Sequence, residues 1–164
     1  MATKHDFHKV IIGRSELLSF IDYGIFNIPA KTDTGAYSSS VHASSISLDD
    51  KTLSFDLLMG HPACGELVQH IKTTKFRLVT VTNSFGHKKQ RYEVILRVKL
   101  GPKVFKAKFT LADRSKNVYP MLLGRTLLNH RFLVDSSESS VNRIELKKKY
   151  GIEFPNDEEG ERGL

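Results

Sequence analysis

Asp33-Thr34-Gly35 is the stretch of this 164-residue chain whose residue types most directly suggest chemistry. An aspartate carboxylate can hold and activate a water when a second carboxylate sits close by. Two carboxylates in contact cannot both ionise easily, so they share one proton. The ionised member then takes a proton from water, and the protonated member donates to the carbonyl under attack. A threonine beside the aspartate can hydrogen-bond to hold it, and glycine lets another backbone approach closely. Three residues are a weak signal alone, and the chain carries only one such triplet.

Other chemistry-bearing residues are less organised. Gly60-His61-Pro62-Ala63-Cys64-Gly65 has the glycine spacing of a phosphate loop, but Glu66 and Leu67 stand where Lys and Ser or Thr belong. A carboxylate there would repel phosphate and the proline removes a backbone donor, so the segment reads as a plain loop. The seven histidines, His5, His8, His42, His61, His70, His87 and His130, include no His-Glu-x-x-His motif. His61 and Cys64 are the only close His/Cys pair, which does not complete a four-ligand zinc site. Neither a metal nor another cofactor is expected. Tyr37-Ser38-Ser39-Ser40 is rich in hydroxyls but lacks a Gly-x-Ser-x-Gly elbow. It reads as strand-edge serines donating to backbone. The single cysteine excludes an intramolecular disulfide framework.

The elements that must position these residues are mostly strands. Tyr92, Val94, Leu96, Val98 and Leu100 alternate with Arg91, Glu93, Arg97 and Lys99, with Ile95 the exception. Gly101-Pro102 breaks the run, and Phe105, Ala107, Phe109 and Leu111 resume it. This predicts an antiparallel hairpin over residues 90–112. Further strands are predicted at 8–13, 28–33, 39–48, 52–59, 67–82, 120–123 and 132–135. One helix is predicted, short, from Arg125 to His130. Residues 1–147 are expected to form one all-β domain and 148–164 a charged, loose tail. Ile11-Ile12-Gly13-Arg14 echoes Leu122-Leu123-Gly124-Arg125, over too few residues to define a repeat unit.

The net charge of +7 suits an acidic partner, although the scattered lysines Lys88, Lys89, Lys99, Lys103, Lys106 and Lys108 read first as a solvated face. No stretch approaches the length of a membrane span, and no signal peptide is visible, so a cytoplasmic protein is expected.

Ala30-Lys31-Thr32-Asp33-Thr34-Gly35-Ala36, followed by Leu122-Leu123-Gly124-Arg125 and a short helix, resembles the retropepsin-like aspartic proteases. The similarity extends to a bacterial and archaeal subgroup through Ser38-Ser39-Ser40-Val41-His42-Ala43, Pro120-Met121 and Arg131-Phe132-Leu133-Val134-Asp135. That subgroup has carried the label "ATP-dependent zinc protease", and its members are sometimes associated with a glutamate ligase that modifies a ribosomal protein. The chain itself has neither a nucleotide loop nor a zinc constellation to match the label.

The resemblance implies a single-lobe, closed β-barrel with one short helix after the Leu-Leu-Gly-Arg strand. It implies Asp33 as catalytic residue, Thr34, Gly35 and Ala36 as loop support, and Leu123, Gly124 and Arg125 as the neighbouring strand and helix. One triplet per chain then implies a homodimer, in which Asp33 meets its mate across a twofold axis. The turn Asn83-Ser84-Phe85-Gly86-His87, with Ser84, Phe85 and Gly86 at its tip, is the candidate flap. Retroviral enzymes place an acid where this chain has Tyr37, and that acid pairs with the helix arginine. Tyr37 cannot form such an ion pair with Arg125. The expected activity is peptide hydrolysis, with acidic or glutamate-rich segments as substrate. Two other readings are a non-catalytic module that binds an acidic protein and, less well supported, a basic RNA-binding β-domain. The latter lacks an aromatic-basic signature.

Overall fold

The computed structural model describes residues 8–151. Eleven strands dominate those residues: β1 Val10–Ile12, β2 Ser15–Phe20, β3 Ile25–Thr32, β4 Ser39–Asp49, β5 Thr52–Leu57, β6 Gln69–Thr73, β7 Phe76–Thr82, β8 Lys88–Leu100, β9 Lys103–Ala112, β10 Met121–Leu123 and β11 Phe132–Val134. Two helices accompany them, α1 at Arg125–Leu128 and α2 at Arg143–Tyr150.

The main sheet is a ring of paired strands. Its path runs β10, β3, β2, β8, β9 and β4, and β4 pairs back to β10. Strands β5 and β6 extend it from β4, and β7 pairs with β8. The alternation over 92–100 sets which side chains face inward. Val94, Leu96, Val98 and Leu100 are buried, and Ile95, the exception to the pattern, is exposed. Leu18, Phe20, Val41, Phe109, Met121 and Leu123 complete the interior, with the rings of Phe20 and Phe109 6.0 Å apart. The predicted turn at Gly101-Pro102 is where β8 pairs with β9, Leu100 opposite Lys103, and Gly101 takes a left-handed φ of 57°. Lys99, Lys106 and Lys108 lie on the exposed face of this pair.

Three departures from the sequence reading have local causes. Strand β2 was not predicted, because Ser15 and Ser19 are buried there beside Leu18 and Phe20 and break the apolar alternation. The single strand predicted over 67–82 is two, β6 and β7. They are parted by a turn in which the Thr73 hydroxyl accepts the Lys75 N–H at 3.0 Å. Helix α2 was also not predicted. Its Asn142 side chain accepts the N–H groups of Ile144 and Glu145, and Gly151 closes it in the left-handed conformation. Leu146 anchors it against Ala63, Val118 and Tyr119. Asn142→Ala is expected to cost about 1 kcal/mol in chemical denaturation. The helix spans position 148, where the charged tail is expected to begin, and residues 152–164 lie outside the described residues.

Candidate active site

Asp33 stands directly after β3, where that strand pairs in parallel with β10. Its N–H donates to Leu123 O at 2.9 Å, which fixes the carboxylate beside the Leu-Leu-Gly strand. The chain then folds back on the side chain. The Gly35 and Ala36 N–H groups both donate to Asp33 Oδ1, at 3.0 and 3.2 Å. Two donors on one oxygen hold the carboxylate in a single orientation. Asp33 is half-buried, whereas Thr34 and Gly35 face outward.

Gly124 is what lets the loop sit there. A Cβ on Gly124 would lie 2.4 Å from Ser38 O and 3.0 Å from Ala36 O. With that carbon absent, Gly124 N donates to the buried Ser39 hydroxyl at 2.9 Å. Arg125 N and Thr126 N donate to Ala36 O and Tyr37 O, at 2.8 and 3.0 Å. The Arg125 guanidinium reaches round to donate to Thr34 O and Gly35 O, at 3.2 and 2.9 Å, and lies over the Tyr37 ring at 5.9 Å. Arg125 therefore clamps the Asp33 loop through carbonyls and an aromatic face, with no acidic partner at position 37.

The echo between residues 11–14 and 122–125 has a structural meaning that its length concealed. Strand β1 pairs in parallel with β11 as β10 does with β3. Asp135 N donates to Ile12 O at 2.8 Å, matching Asp33 N to Leu123 O. Ser137 N donates to Asp135 Oδ1, as Gly35 N does to Asp33 Oδ1. Arg14 donates to Ser136 O and Ser137 O, and a Cβ on Gly13 would lie 2.3 Å from Glu138 O. Each hydrophobic-hydrophobic-Gly-Arg segment thus cradles one aspartate loop. Ser136 and Ser137 replace Thr34 and Gly35 in the second, so the sequence shows no second Asp-Thr-Gly.

A cation stands near the carboxylate. Arg114, in the loop between β9 and β10, donates through Nε to Tyr119 O at 3.0 Å and through Nη1 to Ser40 Oγ at 3.3 Å. Burial and the neighbouring Arg91 guanidinium pull Arg114 down to about 10, and the Asp33 charge acts in the opposite direction. Arg91 lies on β8 opposite Val79 of β7, so both strands of the candidate flap hairpin rise from this side of the site. Its tip is a tight turn. Asn83 Oδ1 accepts from Phe85 N and His87 N, Gly86 has φ of 80°, and the Phe85 side chain is exposed.

Behind Arg114 two buried histidines meet, His42 and His61, with ring centroids 5.4 Å apart. Burial holds His42 below the ordinary imidazole range and His61 down to about 4. The folded chain therefore keeps them neutral, while the unfolded chain takes up their protons near the ordinary value of 6.5. The histidine contribution to stability is expected to fall as pH drops from 6.5 to about 4 and to change no further below, with His61 alone contributing about 3 kcal/mol. Urea denaturation across that window checks this.

Sequence reasoning placed Asp33, Thr34, Gly35, Ala36, Leu123, Gly124 and Arg125, and the structure brings these together. Ser84, Phe85 and Gly86 stand at the hairpin tip. It missed Arg114 and the His42–His61 pair, whose members are separated by many positions, and it read Ser39 as a donor where its hydroxyl accepts from Gly124. No group of three or more potential metal ligands occurs among the described residues. No described helix is long and apolar enough to cross a membrane.

A mostly β protein with an Asp-Thr-Gly loop cradled by a Leu-Leu-Gly strand has the outline of a retropepsin-like lobe. A model of the RimB-like family, described as retropepsin-like aspartic endopeptidase RimB, matches residues 11–145, and the chain belongs to that family. It is 30% identical over 155 residues to a probable alpha-L-glutamate ligase of Shewanella halifaxensis (strain HAW-EB4), covering 88% of this chain and 33% of the relative. Similarity to a protein of the same name from Desulfotalea psychrophila (strain LSv54 / DSM 12343) is 29% over 165 residues, covering 97% and 35%. The chain thus spans about a third of the length of these curated relatives. A crystal structure of a protein of unknown function from Legionella pneumophila subsp. pneumophila str. Philadelphia 1 matches with a TM-score of 0.61 at 30% identity. That match covers 79% of this chain and 95% of the other.

Proposed function

We propose that the chain is an aspartic endopeptidase whose site is shared by two copies. The observation that carries this reading is the Asp33 carboxylate, oriented by two N–H donors on Oδ1 in a loop whose Thr34 and Gly35 face outward. One chain supplies one such loop, and a twofold axis through it supplies the second. Asp33 of one copy then acts as base towards water, and Asp33 of the other donates its proton to the scissile carbonyl. The pair titrates as a unit. In this reading the ring of strands is a retropepsin-like barrel, and the β7–β8 hairpin is a flap that closes over a peptide. Among the described residues, and apart from its two chain neighbours, a Cβ on Gly35 would meet only Asp33 Oδ1 within 4 Å. That leaves this glycine open to the partner copy.

Acidic, glutamate-rich segments are the substrate class we favour. The net charge is +7, Arg114 stands near Asp33 with Arg91 beside it, and the relatives are named glutamate ligases. A non-catalytic module that holds an acidic chain is the second reading, favoured by the same ligase names.

Cleavage of a peptide library with and without oligoglutamate runs, with solution mass measured under the same conditions, tests the proposal. Cleavage by a dimer is expected, with preference for the acidic peptides. A strict monomer that cleaves would remove the shared site, and stoichiometric binding without cleavage would favour the module.

A further inference from the structure

We propose that His42 and His61 are positioning residues: a neutral imidazole pair that holds the Arg114 loop against the Asp33 site and lets it go when protonated. The inference rests on Asp33 being the reacting group, but the clip itself can be read without any cleavage.

The hydrogen bonds fix the state of both rings. His42 Nδ1 accepts the Arg114 N–H at 2.9 Å, so that nitrogen carries no proton. Its Nε2 therefore bears the hydrogen and donates to Met59 O at 2.8 Å. His61 repeats the pattern. Nδ1 accepts the Ala63 N–H at 3.0 Å, and Nε2 donates to Asn117 O at 2.9 Å. All four ring nitrogens are satisfied by two neutral rings in the same tautomer. A second proton on either Nδ1 would set N–H against N–H, and two adjacent imidazolium rings would repel.

The pair ties three segments together. His42 lies on β4, three positions after Ser39, the acceptor of Gly124 N, and its own N–H donates to Pro120 O at 2.8 Å. His61 holds the turn at 61–64, and its Nε2 reaches the loop between β9 and β10. That loop carries Arg114, whose guanidinium bonds Tyr119 O and Ser40 Oγ. Ser40 follows Ser39, the acceptor of Gly124 N. Hydrogen bonds therefore join the rings' loop to Ser40, and the Ser39–Ser40 backbone carries that link to the Gly124 cradle of the aspartate loop.

The charged groups around the pair divide. Asp113 Oδ1 lies 3.8 Å from His42 Nδ1 and favours protonation there. Its carboxylate is exposed and already accepts from Ser115 N and Ser115 Oγ, with Lys116 nearby. Arg114 opposes protonation of both rings, and His42 opposes protonation of His61. Beyond Arg114 stand Asp33 and Arg91. Burial outweighs the lone carboxylate, so the clip stays neutral at neutral pH. It follows that acid releases Arg114, and that the acid limb of hydrolysis reports the imidazoles together with the Asp33 pair.

The test follows the imidazole nitrogens, the Arg114 amide and the Arg114 Nε–H by NMR on the full chain, from pH 8 to about 3.5. Hydrolysis of a glutamate-rich fluorogenic peptide is measured over the same range. Both rings are expected as the Nε2–H tautomer at neutral pH, and the Arg114 signals should shift in step with the histidine titration. His42→Asn, whose side-chain oxygen can replace Nδ1 as acceptor but cannot titrate, should remove the His42 step from the pH response of the Arg114 amide and lower the acid limb of hydrolysis. An Nδ1–H tautomer, Arg114 signals that ignore the histidine titration, or an Arg114 pH response left unchanged in folded His42→Asn would each overturn the clip. If no peptide is cleaved, the proposed activity fails while the spectra still decide the clip.

Discussion

Asp33→Asn will lower peptide hydrolysis by about a thousandfold or more and leave the fold in place. The asparagine keeps Oδ1, so Gly35 N and Ala36 N retain their acceptor. The Leu123 bond is made by the backbone and is untouched. What the amide loses is the ability to take a proton from water or to share one with its mate. The weakened hydrogen bonds should cost about 1 kcal/mol, a few degrees in melting temperature. Asp33→Ala makes the contrast, because it strips both N–H groups of their acceptor and should be less stable than Asp33→Asn.

A shared site gives this prediction a sharper form. When wild-type and Asp33→Asn chains are mixed equally and allowed to exchange, only dimers with two aspartates are competent. Activity should then fall to roughly a quarter of the all-wild-type value, where independent sites would retain about half. A value near half would separate Asp33 chemistry from the dimer. Undiminished cleavage by folded Asp33→Asn would end the aspartic reading altogether.

Much of this site was legible because its two halves are short, contiguous and chemically distinctive. Asp33-Thr34-Gly35-Ala36 and Leu122-Leu123-Gly124-Arg125 each carry their role within four residues, and strand pairing joins them. The hairpin from β8 to β9 was legible for a similar reason, since its period-two pattern follows one buried face. Elements whose cause lies elsewhere in the fold were not. Strand β2 buries two serines because Ser139 and the Asn27 N–H provide their hydrogen bonds, and a serine carries no apolar mark. Helix α2 has almost no apolar face to show, and its signals were the cap Asn142 and the terminal Gly151. His42, His61 and Arg114 become one network only when three distant segments fold together, and no spacing rule could have paired them. The repeat of residues 11–14 was visible but too short to interpret. Its meaning lies in the carbonyls of Ser136 and Ser137, which Arg14 holds as Arg125 holds Thr34 and Gly35.

Those two cradles predict the largest losses of stability. Gly124→Ala would place a carbon 2.4 Å from Ser38 O, which is backbone and cannot swing aside as a side chain would. Either β10 withdraws from β4 or the 36–38 segment moves outward. The first strains the Leu122–Ser40 pairing, and the second breaks the Arg125 N to Ala36 O and Thr126 N to Tyr37 O bonds. The expected cost is roughly 3 kcal/mol or more, about 10 °C in melting temperature. Gly13→Ala meets Glu138 O at 2.3 Å and should cost a similar amount. The two differ in what they do to the site. Gly124→Ala moves the loop that orients Asp33, so hydrolysis should collapse even at temperatures where the variant stays folded. Gly13→Ala disturbs the Asp135 loop and should leave the activity of its folded fraction largely intact. Calorimetry with hydrolysis measured below both transitions distinguishes them. Equal loss of activity in the two variants would mean that the Asp135 cradle supports the site as directly as the Asp33 cradle does.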